Sequence, residues 1–169
     1  MKILAPNLYK IILTNKNMRT SSRNLYIIKG SERSLMIDTS WNVPECLSEM
    51  EQALNELSID CRNLDIFVTH NHVDHSGYVS FFTDRGARAF MNPVEIAASS
   101  DRYHRFYEDN DMRRSYTSEV GVTKERTPDA WQEIKAGADQ LARDNNVNFD
   151  FPFTPIAPGD RLSYGGFAC

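Results

Sequence analysis

No run in this chain reaches the about 18 consecutive apolar residues that a membrane-crossing helix needs. The three cysteines, Cys46, Cys61 and Cys169, are odd in number, and none lies in a Cys-x-x-Cys spacing. That argues against a disulfide frame and for reduced cysteines in a cytoplasmic protein. A one-sided basic stripe is also missing. The formal net charge is −4, and Arg102, Arg105, Arg113 and Arg114 lie beside Asp101, Glu108, Asp109 and Asp111. Neither a nucleic acid nor a membrane is therefore expected as partner. The opening Met1-Lys2-Ile3-Leu4-Ala5-Pro6 is too short and too weakly apolar for a signal peptide. Internal repeats and low-complexity tracts are absent.

What remains is ordinary globular usage: 169 residues, 41% hydrophobic and 25% charged. That is enough for one domain with a real core. Residues 9–14 read as a first strand. Residues 24–29 and 34–38 flank Gly30-Ser31-Glu32 as a hairpin. The opening is thus mostly antiparallel β. A helix starts at Pro44, with Leu47, Met50, Leu54 and Leu57 as its apolar stripe, and stops near Ser58. The run Leu64-Asp65-Ile66-Phe67-Val68 is a buried strand. A second helix is expected from Ser76 or Gly77, ending at a Gly86 cap. Residues 87–91 form another strand. Asn92-Pro93-Val94-Glu95 reads as a helix start with Asn92 as cap and Glu95 in a capping-box position. This order predicts a mixed sheet with helices on one face.

From about residue 100 to 150 the pattern changes: Ser100 to Tyr116 is a charged and aromatic stretch of helical character, and Thr127-Pro128-Asp129 opens a clearer helix, with Trp131, Ile134, Ala138 and Leu141 on one side, that ends at Asn145-Asn146. Residues 151–155 read as an extended connector, because three prolines within 152–158 exclude a helix. Residues 158–162 read as a turn and a strand, and residues 164–168 as another turn and the start of a strand.

Chemistry concentrates in Thr69-His70-Asn71-His72-Val73-Asp74-His75-Ser76-Gly77, which holds three of the four histidines. If the chain leaves the strand extended, His70, His72 and Asp74 project to one side, and His75 is turned inward by the bend at Ser76-Gly77. Imidazole and carboxylate are the usual ligands of zinc, and they also suit iron or manganese. Two ligands before the bend and two after it can serve two adjacent metals. The fourth histidine, His104, sits in the charged stretch and reads as a solvated position.

His70 to His75 resemble the His-x-His-x-Asp-His signature of the metallo-β-lactamase superfamily. Ile37-Asp38-Thr39-Ser40 is similar to that family's Ile-Asp-Thr-Gly turn, with serine in place of glycine. Residues 158–168 resemble its Gly-Asp turn and Gly-rich hairpin. The resemblance covers about 1–100 and 152–169. It implies an α/β (α+β) fold: the N-terminal half of a four-layer αββα sandwich, with residues 1–169 as one partial domain and a helical insertion at 100–150.

The implied activity is that of a glyoxalase II-like metal-dependent hydrolase. A metal-activated hydroxide would act on a small ester, thioester or lactone. His70 and His72 would bind a first divalent ion, and Asp74 and His75 a second, with zinc the leading candidate. Asp74 would also be catalytic, orienting the water and taking its proton. Asp38 would be a supporting residue behind the ligands, or simply a turn-capping aspartate. A mononuclear iron sulfur dioxygenase, or another oxidoreductase on the same fold, shares the motif. A flavodiiron-type site is disfavoured by His72, and a nuclease by the charge. The family's third histidine, bridging aspartate and late histidine have no counterpart here. The chain is therefore expected to be inactive alone, as a fragment or a binding module, and to associate with a missing C-terminal half or with itself.

Overall fold

The structure is a computed structural model that describes residues 1–14, 22–100, 126–129, 132, 152–164 and 167–168. Within these, seven strands form one sheet in sequential order: β1 (Lys2–Ala5), β2 (Leu8–Thr14), β3 (Ser22–Ile28), β4 (Ser34–Ile37), β5 (Leu64–Val68), β6 (Arg88–Met91) and β7 (Phe153–Pro155). Strands β1 to β4 pair antiparallel, and β4 to β7 pair parallel. The switch follows from the connections. A short turn returns the chain antiparallel, whereas a helix between strands carries it back to the same end of the sheet. Helix α1 (Pro44–Glu56) crosses from β4 to β5. Helices α2 (Val73–Ser76) and α3 (Val79–Thr83) cross from β5 to β6, and α4 (Pro93–Ser100) follows β6. A separate hairpin pairs β8 (Ser163–Tyr164) with β9 (Phe167–Ala168).

Strand alternation sorts side chains onto two faces. Leu25 and Ile27 of β3, Met36 of β4, and Ile66 and Val68 of β5 face the helices. There they pack with Cys46, Met50, Ala53, Leu54 and Leu57 of the first crossover. Burying one such leucine contributes about 1.5–3 kcal/mol. Ile28 and Leu35, opposite each other in register, face the other way and pack under Tyr164 of the hairpin. Beyond the hairpin this second face is open in places: Ile12 of β2 is 57% exposed. No helix among the described residues is long and apolar enough to cross a membrane.

Four local expectations need correction. Residues 2–5 form an edge strand that their exposed, short sequence did not signal; its register to β2 is a backbone matter. The helix expected from Ser76 or Gly77 is two short helices. Tyr78 breaks it at φ −112°, ψ 13°, because its N–H turns to Thr39 Oγ1 (3.2 Å) instead of a helical carbonyl. The connector at 151–155 joins the sheet as β7. Prolines exclude a helix but are tolerated in an edge strand, where Pro155 pairs with Met91. The strand read at 161–162 begins at Ser163 instead. Most of the helical insertion at 100–150, with His104, lies outside the described residues; within it Pro128, Asp129 and Gln132 are helical.

Candidate metal centre

Because β4 and β5 are parallel neighbours, their carboxyl ends lie side by side, with Ile37 opposite Phe67. Asp38 follows β4 directly, and its N–H donates to Phe67 O (2.9 Å). Its backbone takes the left-handed region, φ 62°, which is uncommon for a residue with a Cβ. In that position its carboxylate accepts from Thr69 N (2.8 Å) and Thr69 Oγ1 (3.0 Å), and meets His75 Nδ1 at 2.8 Å. Glycine would take this φ without cost. The aspartate is retained where its side chain ties the ends of β4 and β5 to the histidine loop.

This network sets the tautomers. In a neutral His75 ring, Nδ1–H donates to the Asp38 carboxylate and Nε2 is the lone-pair nitrogen. Thr69 Oγ1 commits its proton to Asp38, so His70 Nδ1, 3.0 Å away, donates to that oxygen. His70 then also presents Nε2. The His70 ring centroid lies 4.6 Å from that of His72 and 4.1 Å from that of His75. Burial holds the His70 imidazolium form down, and positive charge on His75 and His72 would lower it further. Neutral imidazole is the form a metal needs.

The chain bends at residues 69–71 as it leaves β5, only His72 is extended (φ −65°, ψ 147°), and α2 begins directly after it. Asp74 therefore does not continue the alternation of His70 and His72, as an extended loop would require. A helical turn brings it round beside His75 instead, with Asp74 Oδ2 3.6 Å from His75 Nε2. The turn is pinned from behind. Thr39 N and Thr39 Oγ1 donate to His75 O at 2.7 and 3.1 Å, and Ser76 Oγ donates to His72 O at 2.8 Å. Gly77 packs tightly there, since a Cβ on it would meet Ser40 O at 2.3 Å and Asn42 N at 2.8 Å.

Two contacts were not foreseen. Glu95 does not close a capping box: its Oε2 accepts from Asn71 N at 2.9 Å, so α4 holds the histidine loop. Asn92 does cap α4, through Oδ1 to Val94 N (2.9 Å). Arg23 of β3 pairs with Asp74 through Nη2. Burial raises the Asp74 carboxyl pKa, but the Arg23 hydrogen bond and His75 outweigh it, so the group stays ionised below the usual carboxylate range. The sequence offered no local signal for either contact.

At the opposite end of β5 the fully buried Asp65 accepts from Arg33 Nε (2.9 Å) and Nη2 (2.6 Å) and from Arg88 Nε (2.7 Å) and Nη2 (2.5 Å). Tyr164 OH of the hairpin donates to it as well (2.7 Å). An aspartate inside an apolar strand run was the one available hint of such a network.

The donor set of His70, His72, Asp74 and His75 suits zinc or a similar divalent ion, with two rings oriented by hydrogen bonds to their Nδ1 atoms. Among the described residues no group of three or more such side chains is arranged, as it stands, to hold an ion. Asp74 is engaged by Arg23 instead. In kind and neighbourhood the residues fit a metal, with one ligand occupied by an internal cation.

No protein-family model and no curated protein sequence matches the chain. Solved structures do. A metallo-beta-lactamase family protein from Thermus thermophilus superposes with a TM-score of 0.73 at 21% identity, covering 98% of this chain and 51% of that one. A beta-lactamase domain protein from Burkholderia ambifaria gives 0.67 at 16% identity, covering 98% and 46%. The chain thus spans about half the length of these proteins. With a mixed sheet, helices on one face and a histidine loop at the strands' carboxyl ends, it has the metallo-β-lactamase fold.

Proposed function

We propose that this chain supplies metal ligands and the proton acceptor of a metal-dependent hydrolase acting on a small ester-, thioester- or lactone-like substrate. The observation that carries this reading is the loop itself. Three imidazoles cluster with centroids 4.1 and 4.6 Å apart beside a carboxylate, at the carboxyl end of a buried parallel strand. That is where α/β folds place ligands. His70 and His72 would hold one divalent ion, and Asp74 and His75 a second. Such ions supply Lewis acidity for a carbonyl and lower the pKa of water towards about 7.

The chain's own residues do the rest. Asp38 fixes the His75 ring so that Nε2 faces Asp74. Asp74 would orient the attacking water and accept its proton. Glu95 and Thr39 hold the loop against recoil as charge develops. The test is hydrolysis of a thioester and a lactone by the whole protein, with and without Zn²⁺. His72→Ala is expected to lower kcat/KM by about two orders of magnitude or more. Undiminished metal-dependent turnover in that variant overturns the reading. The 169-residue chain alone is expected to show little turnover.

A further inference from the structure

We infer that Arg23 is a resident counter-ion of the metal centre, one that a divalent cation must displace from Asp74 in order to bind. The inference rests on the metal-centre reading above and concerns how that centre is kept when no ion is present.

The geometry of Asp74 carries it. Its Oδ2 lies 3.6 Å from His75 Nε2. The same Oδ2 is the atom that Arg23 Nη2 engages. A cation shared by Asp74 Oδ2 and His75 Nε2 would therefore claim the oxygen that the guanidinium now holds. Both cannot have it at full strength. Two positive centres on one carboxylate oxygen repel, so each weakens the other's hold.

Arg23 is also poorly held, which makes it displaceable. An arginine built for a permanent pair uses its fork, as both Arg33 and Arg88 do by giving Nε and Nη2 to Asp65. At Asp74 only Nη2 is engaged. Among the described residues, Arg23 Nε is buried without a hydrogen-bond partner, a cost that a well-made pair would not carry. The guanidinium lies 5.1 Å over the Trp41 ring, and its side chain is 43% exposed. The ring contact can persist when the guanidinium leaves Asp74, and the exposure gives it a route to water.

Calorimetric titration of the 169-residue chain with Zn²⁺ alone tests this without any activity assay. Arg23→Gln removes the competing charge and keeps a polar side chain, so Zn²⁺ is expected to bind about three- to tenfold more tightly than to the unaltered chain. Equal or weaker binding by the variant, with binding by the unaltered chain intact, overturns the inference and leaves the metal centre standing. No binding by either chain overturns both. A second readout needs no variant. In the unaltered chain the Arg23 Nε–Hε resonance is expected to shift in step with added Zn²⁺ as the guanidinium leaves Asp74. An unmoved resonance at saturating metal overturns the inference.

Discussion

Strand β5 has an aspartate network at each end, and the two ends treat charge in opposite ways. At the amino end Asp65 is fully buried, and its carboxylate is saturated by two guanidinium forks and the Tyr164 hydroxyl. At the carboxyl end Asp74 receives one guanidinium nitrogen, and His70 and His75 keep Nε2 outward. Saturation suits structure. Every lone pair of Asp65 that burial strips of water is given back by a donor, and the network ties β4, β5, β6 and the hairpin together. Incomplete satisfaction suits a binding site, since a ligand set with all its lone pairs used has nothing left to offer an ion.

If this contrast is right, the two ends can be broken separately. The largest effect is expected from Asp65→Ala, which leaves two arginines facing each other without their carboxylate. Stability should fall by about 3 kcal/mol or more in denaturant titration, while the Zn²⁺ affinity of the folded chain stays within about twofold. A pH series sharpens the point. Burial pushes the Asp65 carboxyl up, but Arg88, Arg33 and Tyr164 together outweigh it and hold it below its ordinary value. A carboxyl depressed in the folded state contributes stability above its unfolded value. That contribution is lost as pH falls through the folded value, below about pH 4. Asp65→Ala should show a shallower acid limb.

Next in size is Asp38→Asn, which acts at the other end. It removes the anion that holds the His75 Nδ1 proton, so the ring loses its preferred tautomer and orientation. Zn²⁺ affinity should drop about 10- to 100-fold with a smaller loss of stability. Unchanged affinity would mean that Asp38 only caps its turn. The smallest effect is expected from Tyr164→Phe. It deletes one donor to Asp65 and loosens the hairpin from the sheet, at about 1 kcal/mol. No change in stability would show that the two arginines satisfy Asp65 unaided.

Much of the fold was legible because its signals are local. The alternation of Leu25, Tyr26, Ile27 and Ile28 marks a strand with two faces. The spacing of Met50, Leu54 and Leu57 marks the buried side of a helix. The candidate ligands stand out in the sequence for the same reason: His70, His72, Asp74 and His75 lie within six positions. What failed also failed locally. Glu95 sits in a capping-box position, yet its side chain reaches 24 residues back to accept from the Asn71 N–H of the histidine loop. The prolines within 152–158 exclude a helix, and the extended connector they leave pairs at the sheet edge as β7.

The sequence by itself determined which residues could ligate a metal, and that they follow a buried strand. Only the tertiary structure decided how they are oriented and what competes for them. Asp38 and His75 are 37 positions apart, Arg23 and Asp74 are 51, and Tyr164 and Asp65 are 99. The physical reason is range. Periodicity and capping report on contacts within a turn or a strand, whereas a carboxylate's partners are set by which strands the sheet places side by side.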